Sequence, residues 1–552
     1  MSLLAQTSTI ESKTSSVSFD YIAKELKVSE ATVRNWVLTG NLEIVSPKSV
    51  STESYEVFKT MVVGKEKLHK RANKLHVDET DLISISEKIK AKIDLVYKGD
   101  TSITKDDLSS YYEESLGDSH KNHEGIFYTP ENIILKMFEH LPRDLMGSIK
   151  FCDPCCGTGN FLIAALKIGV KPENIYGFDT DENAVNIAKT RIYQQTGFIT
   201  HNIELADFLE LVDKKPSLEF DVVFTNPPWG KKYTPDAKEQ YALRFNGGTK
   251  VDSSAIFTLA CLKITKSGGY VGALLPDAFF NVQAYSSVRS KLLGYEIVSL
   301  IDHQKPFLGL QTRAQSIVLK KTEPSDEHII SCEYEKSLIN RGQLSFQSSP
   351  HAIYNFHILE NEVEILDYLF KIPHDTLEGN ATWGLGIVTG NNAKYITSAN
   401  QDGYIPVFKG SDILKGGFKE PTNFLINDFS NFQQVAPLHL YNSPEKVVYR
   451  FINTDLVFSF DNQQRYFLNS ANFFILKESM GISHEQIAFL LNTEIINWIF
   501  KNIFRTHKIL RSDLEKLPIY TGFFKNDYEQ TEASLLNYLG VERNNGTYRL
   551  KK

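Results

Sequence analysis

Three carboxylates stand where short apolar runs end: Asp153 after SIKFC, Asp179 after NIYGF, and Asp207 in LADFL. Asp153 opens the turn Asp153-Pro154-Cys155-Cys156-Gly157-Thr158-Gly159-Asn160-Phe161, and glycines directly after a buried strand let the backbone approach a ligand closely. Asp179 is suited to accept both hydroxyls of a ribose, and Asp207 with Phe208 to hydrogen-bond and flank an adenine ring. Each acid alone is more often a loop residue or a helix cap. Three in register at successive strand ends read as a nucleoside site. A fourth apolar run, FDVVFT, delivers Asn226-Pro227-Pro228-Trp229 to the same edge, where two consecutive prolines stop any ladder and stiffen the backbone that follows.

Something must align these strand ends. From about Ser148 to Lys321, apolar strands such as FDVVFTN and GGYVGALLP alternate with helical stretches, the pattern of a mostly parallel sheet covered by helices on both faces. The fold expected is α/β, with a Rossmann-like domain over 121–330. An N-terminal helix-turn-helix region (1–60) and a helical linker (61–120) precede it. A connecting segment (331–375) and an α+β target-recognition domain (376–552) follow. In SFDYIAKELKVSEATVRNWVLTGNL, Ile22, Ala23 and Leu26 sit at helical spacing, Val28-Ser29 breaks the helix, Val33 and Trp36 face inward on a second helix, and Gly40 ends it. The pair resembles the helix-turn-helix of small transcription regulators, with Thr32, Arg34 and Asn35 facing a DNA groove. Lys65, Lys67, Lys70, Arg71 and Lys74 read as a solvated helix face.

The chain of 552 residues carries a net charge of −7, which argues against indiscriminate coating of nucleic acid but not against a positive docking cleft. No apolar run reaches the length of a membrane span and the first residues lack a signal-peptide pattern, so a cytoplasmic protein is expected. Cys152 and Cys155 have C-x-x-C spacing, yet no second pair completes a four-ligand set. No metal is expected.

The order of segments resembles the gamma class of amino-methyltransferases: Gly125-Ile126-Phe127-Tyr128-Thr129-Pro130, then the glycine turn, the NPPW tetrapeptide and a C-terminal recognition domain. GLGIVTGNN, YIPVFKGSDI and YFLNSANFF are similar to the specificity domain of TaqI-like adenine methyltransferases. The resemblance implies an S-adenosylmethionine-dependent enzyme that methylates N6 of an adenine extruded from double-stranded DNA. It implies a cofactor site built from Tyr128, Thr129, Asp153, Cys155, Gly157, Gly159, Asn160, Phe161, Asp179, Asp207, Phe208 and Asn226, with Tyr128-Thr129 closing over the methionine end. Asn226 and Pro227 would accept the two N–H groups of the target amine and pyramidalise its nitrogen, so that alignment supplies much of the acceleration. Pro228 stiffens the loop, and Trp229 and Phe307 would sandwich the base. No covalent intermediate is needed.

The C-terminal half carries Thr389, Asn391, Asn392, Lys394, Tyr395, Lys409, Tyr449, Arg450, Arg465, Asn469, Asn472, Arg505, His507, Lys508 and Arg511, residue types that grip phosphates and read base edges. Lys394, Arg450, Arg505 and Lys508 are taken as DNA contacts. A separately encoded cognate restriction endonuclease is a partner left open, and no nuclease cluster is seen in this chain. Competing readings are the modification subunit of a multi-subunit restriction system, an RNA or protein amino-methyltransferase, an N4-cytosine enzyme, and a regulator with a vestigial enzyme domain. The recognition-domain segments, the Asn at 226 and the complete set of acids weigh against them.

Overall fold

The structure is a computed structural model that describes residues 16–26, 30–38, 42–46, 48–62, 79–116, 128–143, 147–231, 233–248, 252–307, 312–347, 349–506, 508–526 and 528–551. The chain divides into two compact units, residues 1–126 and 127–552.

In the first unit, strands β1 (Ser16–Ser18), β2 (Ile44–Ser46) and β3 (Ser49–Ser51) form an antiparallel sheet in the order β1-β3-β2. Helices Phe19–Glu25, Glu30–Leu38 and Thr52–Val62 pack with it. Ser18 caps the first helix by accepting from the Tyr21 N–H at 3.2 Å. Ile22, Ala23 and Leu26 share a core with Val33, Val50 and Tyr55, and Trp36 lies against it with its ring 4.8 Å from that of Phe58. Arg34 is exposed. The expected break at Val28-Ser29, Gly40, the side chains of Thr32 and Asn35, and the basic run from Lys65 to Lys74 lie outside the described residues. Two further helices, Glu79–Tyr97 and Lys105–Ser115, complete the described part of this unit, the second opened by a Thr104–Asp107 capping box.

The second unit is built on nine strands: β4 (Phe151–Asp153), β5 (Ile175–Asp179), β6 (Ile203–Leu205), β7 (Phe220–Thr225), β8 (Thr265–Pro276), β9 (Glu296–Asp302), β10 (Ala314–Lys320), β11 (Ile329–Tyr334) and β12 (Ser337–Gly342). Their order is β12-β11-β9-β10-β8-β7-β4-β5-β6. β4 through β8 run parallel, and β10 lies antiparallel between β8 and β9. The sheet does not stop at residue 330: β11 and β12 continue it into the segment expected to be a connector. Alternation along each strand makes two cores. Phe151, Val222, Phe224 and Val318 face helices Glu131–Phe138, Asn160–Lys167 and Glu182–Thr196. Cys152, Val223, Val271 and Ile317 face helices Phe208–Lys214, Ser253–Ile264 and Ser286–Leu292. Strand order reverses between β4 and β7, so a crevice at their carboxyl ends is where such sheets take a ligand.

Beyond this sheet, strands Ala381–Leu385, Ala471–Leu476, Lys446–Arg450 and Phe458–Asp461 pair antiparallel in that spatial order. Val447 and Tyr449 turn toward a helical core that includes the amphipathic helix Glu494–Phe504, whereas Val448 turns with Phe473 into a core of short strands and loops. The strand is covered on both faces.

Candidate active site

The turn after β4 holds its shape through backbone bonds to the neighbouring strand end. The Cys156 N–H donates to the Phe178 carbonyl at 2.9 Å, and the Gly157 N–H donates to an Asp179 carboxylate oxygen at 2.8 Å. The other Asp179 oxygen accepts from the Asp181 N–H at 3.0 Å. Gly157 and Gly159 adopt φ of 50° and 92°, in the left-handed region that glycine enters at no steric cost. A Cβ at Gly159 would sit 3.1 Å from the Ala188 Cβ, and one at Gly157 would meet the Tyr128 ring at 3.6 Å. Tyr128 therefore lies over the turn although it is distant in sequence.

Asp153, 1% exposed, accepts from the Cys155 N–H at 3.1 Å. Burial pushes its carboxyl up to about 7, with the Asp179 charge adding to the rise, against hydrogen bonding from Thr225 and Cys155. Burial also raises Asp179, against the bonds from Asp181 and Gly157. Two acids held toward their neutral forms at one strand edge suit a ligand that brings O–H donors or positive charge. Cys152 and Cys156 are packing residues: Cys152 is wholly buried in β4, the Cys156 sulfur lies 3.0 Å from where a Cβ at Gly177 would be, and burial pushes both thiols up, while Cys155 between them is half-buried.

Some expected ligand contacts are engaged within the protein. The Asn160 side chain donates to the Thr129 carbonyl at 3.2 Å and accepts from Arg191 at 2.8 Å, so it ties the Tyr128-Thr129-Pro130 segment to the glycine turn. The same Arg191 nitrogen donates to the Thr158 carbonyl at 2.7 Å. Sequence reasoning missed Arg191, whose signal was one arginine among the apolar positions Ile187, Ala188 and Ile192 of its helix. Asp207 caps helix Phe208–Lys214, one oxygen accepting from the Leu209 N–H at 2.9 Å. Phe208 is a core residue between Phe178 and Phe257, with ring centroids 6.3 and 6.0 Å away, and offers a wall rather than an open face for an adenine ring. Phe161 is buried in the opposite core.

Asn226 is half-buried and Pro227 buried at the end of β7, beside β4 in the crevice. The Trp229 indole N–H donates to the Leu274 carbonyl at 3.1 Å. Trp229 and Phe307 share a small cluster with Ile133, Leu274 and Ala314, but their rings meet edge-on, with centroids 5.4 Å apart and planes at 79°. In this edge-to-face arrangement, which aromatic pairs favour, no parallel slot for the expected sandwich lies between the two rings. Sequence reasoning also missed Asp252 and Ser253, which open helix Ser253–Ile264. Ser253 is buried, donates to the Pro228 carbonyl at 2.6 Å and accepts from the Lys231 N–H at 3.1 Å.

The C-terminal basic residues divide. Arg450 donates through Nε and Nη2 to the Ile413 carbonyl at 3.0 and 2.7 Å, and Tyr449 is buried. Arg465 pairs with the buried Asp461 at 2.7 Å and covers the Phe418 ring. Arg505, in a left-handed conformation at φ 38°, lies over the Tyr334 ring and 4.0 Å from the buried Asp302 carboxylate. Arg450 and Arg505 are thus partly buried and engaged with protein partners in this structure. Lys394 and Lys508 are exposed, Lys394 above the Tyr395 ring. His507 lies outside the described residues.

Two segments of the chain are similar to known families. Residues 103–353 match the N-6 DNA Methylase family and residues 405–519 match the TaqI-like C-terminal specificity domain. The type II methyltransferase M.VspI of Vibrio sp. (strain 343) is 46% identical over 401 residues, which span 73% of this chain and 97% of that protein. A putative type II restriction enzyme and methyltransferase of Methanocaldococcus jannaschii is 25% identical over 56% of this chain and 28% of its own length. Among solved structures, the restriction-modification enzyme MmeI in complex with DNA aligns with a TM-score of 0.52 at 14% identity, covering 75% of this chain and 70% of that one. That likeness is one of fold.

Proposed function

Because this chain belongs to the N-6 DNA methylase family, as a type II adenine-specific DNA methyltransferase of a restriction-modification system, we propose a residue-by-residue account of how it acts on N6 of adenine. The observation that carries the account is the adjacency of Asn226-Pro227-Pro228-Trp229, after β7, to the glycine turn after β4, at the point where strand order reverses.

S-adenosylmethionine, when bound, supplies an electrophilic sulfonium methyl. The crevice fits it: Asp179 is set to accept from the ribose hydroxyls, the raised Asp153 favours a cationic neighbour, and Gly157 adds no Cβ between the turn and the Tyr128 ring. Asp207 keeps one oxygen on its helix and has the second for an adenine amine. Asn160 and Arg191 hold the Thr129 segment down on the turn. Asn226 Oδ1 and the Pro227 carbonyl accept the two N–H groups of the target amine. This draws its lone pair out of conjugation and toward the crevice, and fixed acceptors need no reorganisation as charge develops. The methylated amine, a strong acid while it carries the extra proton, sheds that proton to solvent water, because the two carbonyl oxygens accept hydrogen bonds without taking up a proton.

The target adenine must leave the duplex to reach this edge. Trp229, held by its bond to Leu274, provides the stacking face, and the Phe307 ring turns from its edge-on position to admit the base. The substrate is double-stranded DNA, gripped by the specificity domain with Lys394 and Lys508 among the displayed cations. The paired helices Phe19–Glu25 and Glu30–Leu38 add affinity through Arg34. No helix among the described residues is long and apolar enough to cross a membrane. The setting proposed is the cytoplasm, where the DNA lies, with a separately encoded restriction endonuclease reading the same site. Incubating the purified chain with S-adenosylmethionine and genomic DNA should yield N6-methyladenine in one short sequence context. N4-methylcytosine, or product only after a second polypeptide is added, would refute the account.

A further inference from the structure

Two of the bonds that fasten the Pro-Pro-Trp loop, one on either side of Trp229, meet at one hydroxyl, while the Gly230 N–H makes a longer bond to Asp252 at 3.4 Å and the indole bonds Leu274. Ser253 donates to the Pro228 carbonyl at 2.6 Å and accepts from the Lys231 N–H at 3.1 Å. It is 2% exposed, so water cannot replace it at that carbonyl. Its own backbone is fixed as the first residue of the buried helix Ser253–Ile264, capped by Asp252, whose carboxylate accepts from the Ser254 N–H and hydroxyl at 2.9 and 2.8 Å. The neighbouring Ser254 is equally buried, but its hydroxyl bonds only to that cap and never to the tetrapeptide.

We propose that Ser253 is a positioning residue for methyl transfer, holding the peptide planes around Trp229 so that the Pro227 carbonyl and the indole stay aimed at the target base. Prolines restrict φ at 227 and 228 but leave ψ of Pro228 and both dihedrals of Trp229 and Gly230 to be set by contacts. Gly230, at φ 69°, supplies no restraint of its own. Asp252 and Leu274 hold the Gly230 N–H and the indole within that stretch, and the serine hydroxyl bonds the backbone at both of its ends. A misplacement of about 1 Å at a reacting centre can cost on the order of a hundredfold in rate, so losing the fastening should appear in turnover and not in cofactor affinity.

The inference rests on the assignment of residues 226–229 to the target amine, and four single substitutions in the full chain separate the two claims. Ser253→Ala should lower single-turnover methylation about ten- to hundredfold, with the dissociation constants for S-adenosylmethionine and DNA within about threefold of wild type. Ser254→Ala removes a buried hydroxyl from the same cap and should keep the rate within about threefold. Ser253→Thr retains the hydroxyl and should recover most of the rate lost by alanine. An unchanged rate in Ser253→Ala, an equal loss in Ser254→Ala, or a threonine variant no faster than alanine overturns the positioning role. Asn226→Ala, run alongside, tests the underlying assignment: if it stays active the tetrapeptide reading fails. If it is inactive while Ser253→Ala is fully active, only the inference fails.

Discussion

The carboxyl edge of the nine-stranded sheet and the C-terminal recognition region respond differently to the same kind of reading. At the sheet edge, Asp153, Asp179, Asp207 and Asn226 each end a strand or begin the loop after it, and the fold brings them to one crevice. In the C-terminal region, residues chosen for their charge scatter. Arg450 and Arg505 are partly buried against protein partners, whereas Lys394 and Lys508 face water. At a strand end the direction of a residue is nearly fixed by the strand. In a loop-rich region the residue type says what a side chain can bind and little about whether water, a carbonyl or a ring will be its partner.

Substitutions can break or sharpen this contrast. The largest effect belongs to the edge: Asn226→Ala should lower turnover by about 10²–10³-fold, the scale for removing one preorganised group that faces developing charge. Calorimetry should find cofactor affinity largely intact, since Asn226 acts chiefly on the target amine. Asp179→Ala should do the reverse, weakening S-adenosylmethionine about ten- to hundredfold as charge-assisted hydrogen bonds typically worth about 1.5–3 kcal/mol are lost. If the two variants gave the same profile, the edge would not be divided between cofactor and target. In the recognition region, Arg450→Ala should destabilise the fold by about 1–3 kcal/mol through the unsatisfied Ile413 carbonyl, visible in thermal unfolding. The salt dependence of DNA binding should stay as it was.

The buried acids give the edge a pH signature. Asp153 is raised to about 7 and Asp179 is raised as well. In the unfolded chain both titrate near 4, so the stability they contribute is complete below that value and is lost as pH rises through about 7. A cationic ligand carrying a ribose diol prefers the carboxylates. The rise in Tm caused by S-adenosylmethionine should therefore be larger at pH 8 than at pH 6, and an equal rise at both would detach these acids from the cofactor. The smallest effect lies on the displayed cations. Lys394→Gln or Lys508→Gln should reduce the slope of log Kd against log salt by about 0.9 if each neutralises one phosphate.

Much of the fold was legible because strand periodicity and Pro-Pro punctuation are local signals. The tetrapeptide, the glycine turn and both faces of the sheet follow from them. The supporting set was harder to see. Arg191 and Ser253 act on carbonyls from elements far along the chain, and an arginine or serine in an apolar helix does not announce its partner. The extension of the sheet through β11 and β12 was missed because SCEYEKSLINRG alternates weakly and sits after a polar stretch. The Trp229–Phe307 geometry was out of reach for another reason. Sequence can place two aromatics in one pocket, but the angle between their planes is decided by everything packed around them.

The strand order also sets a timetable for biosynthesis. β7 seats beside β4 and not beside its chain neighbour β6, so the edge that holds Asp153 and Asp179 can leave the ribosome well before the tetrapeptide does. At roughly 5–20 residues per second, the interval is on the order of several seconds. β9 waits as well, since β10, which joins it to β8, is made after it. A nascent chain therefore passes through a stage that offers half of the crevice and none of the groups that face the target amine. Premature release at that stage would give a polypeptide that competes for S-adenosylmethionine without marking DNA.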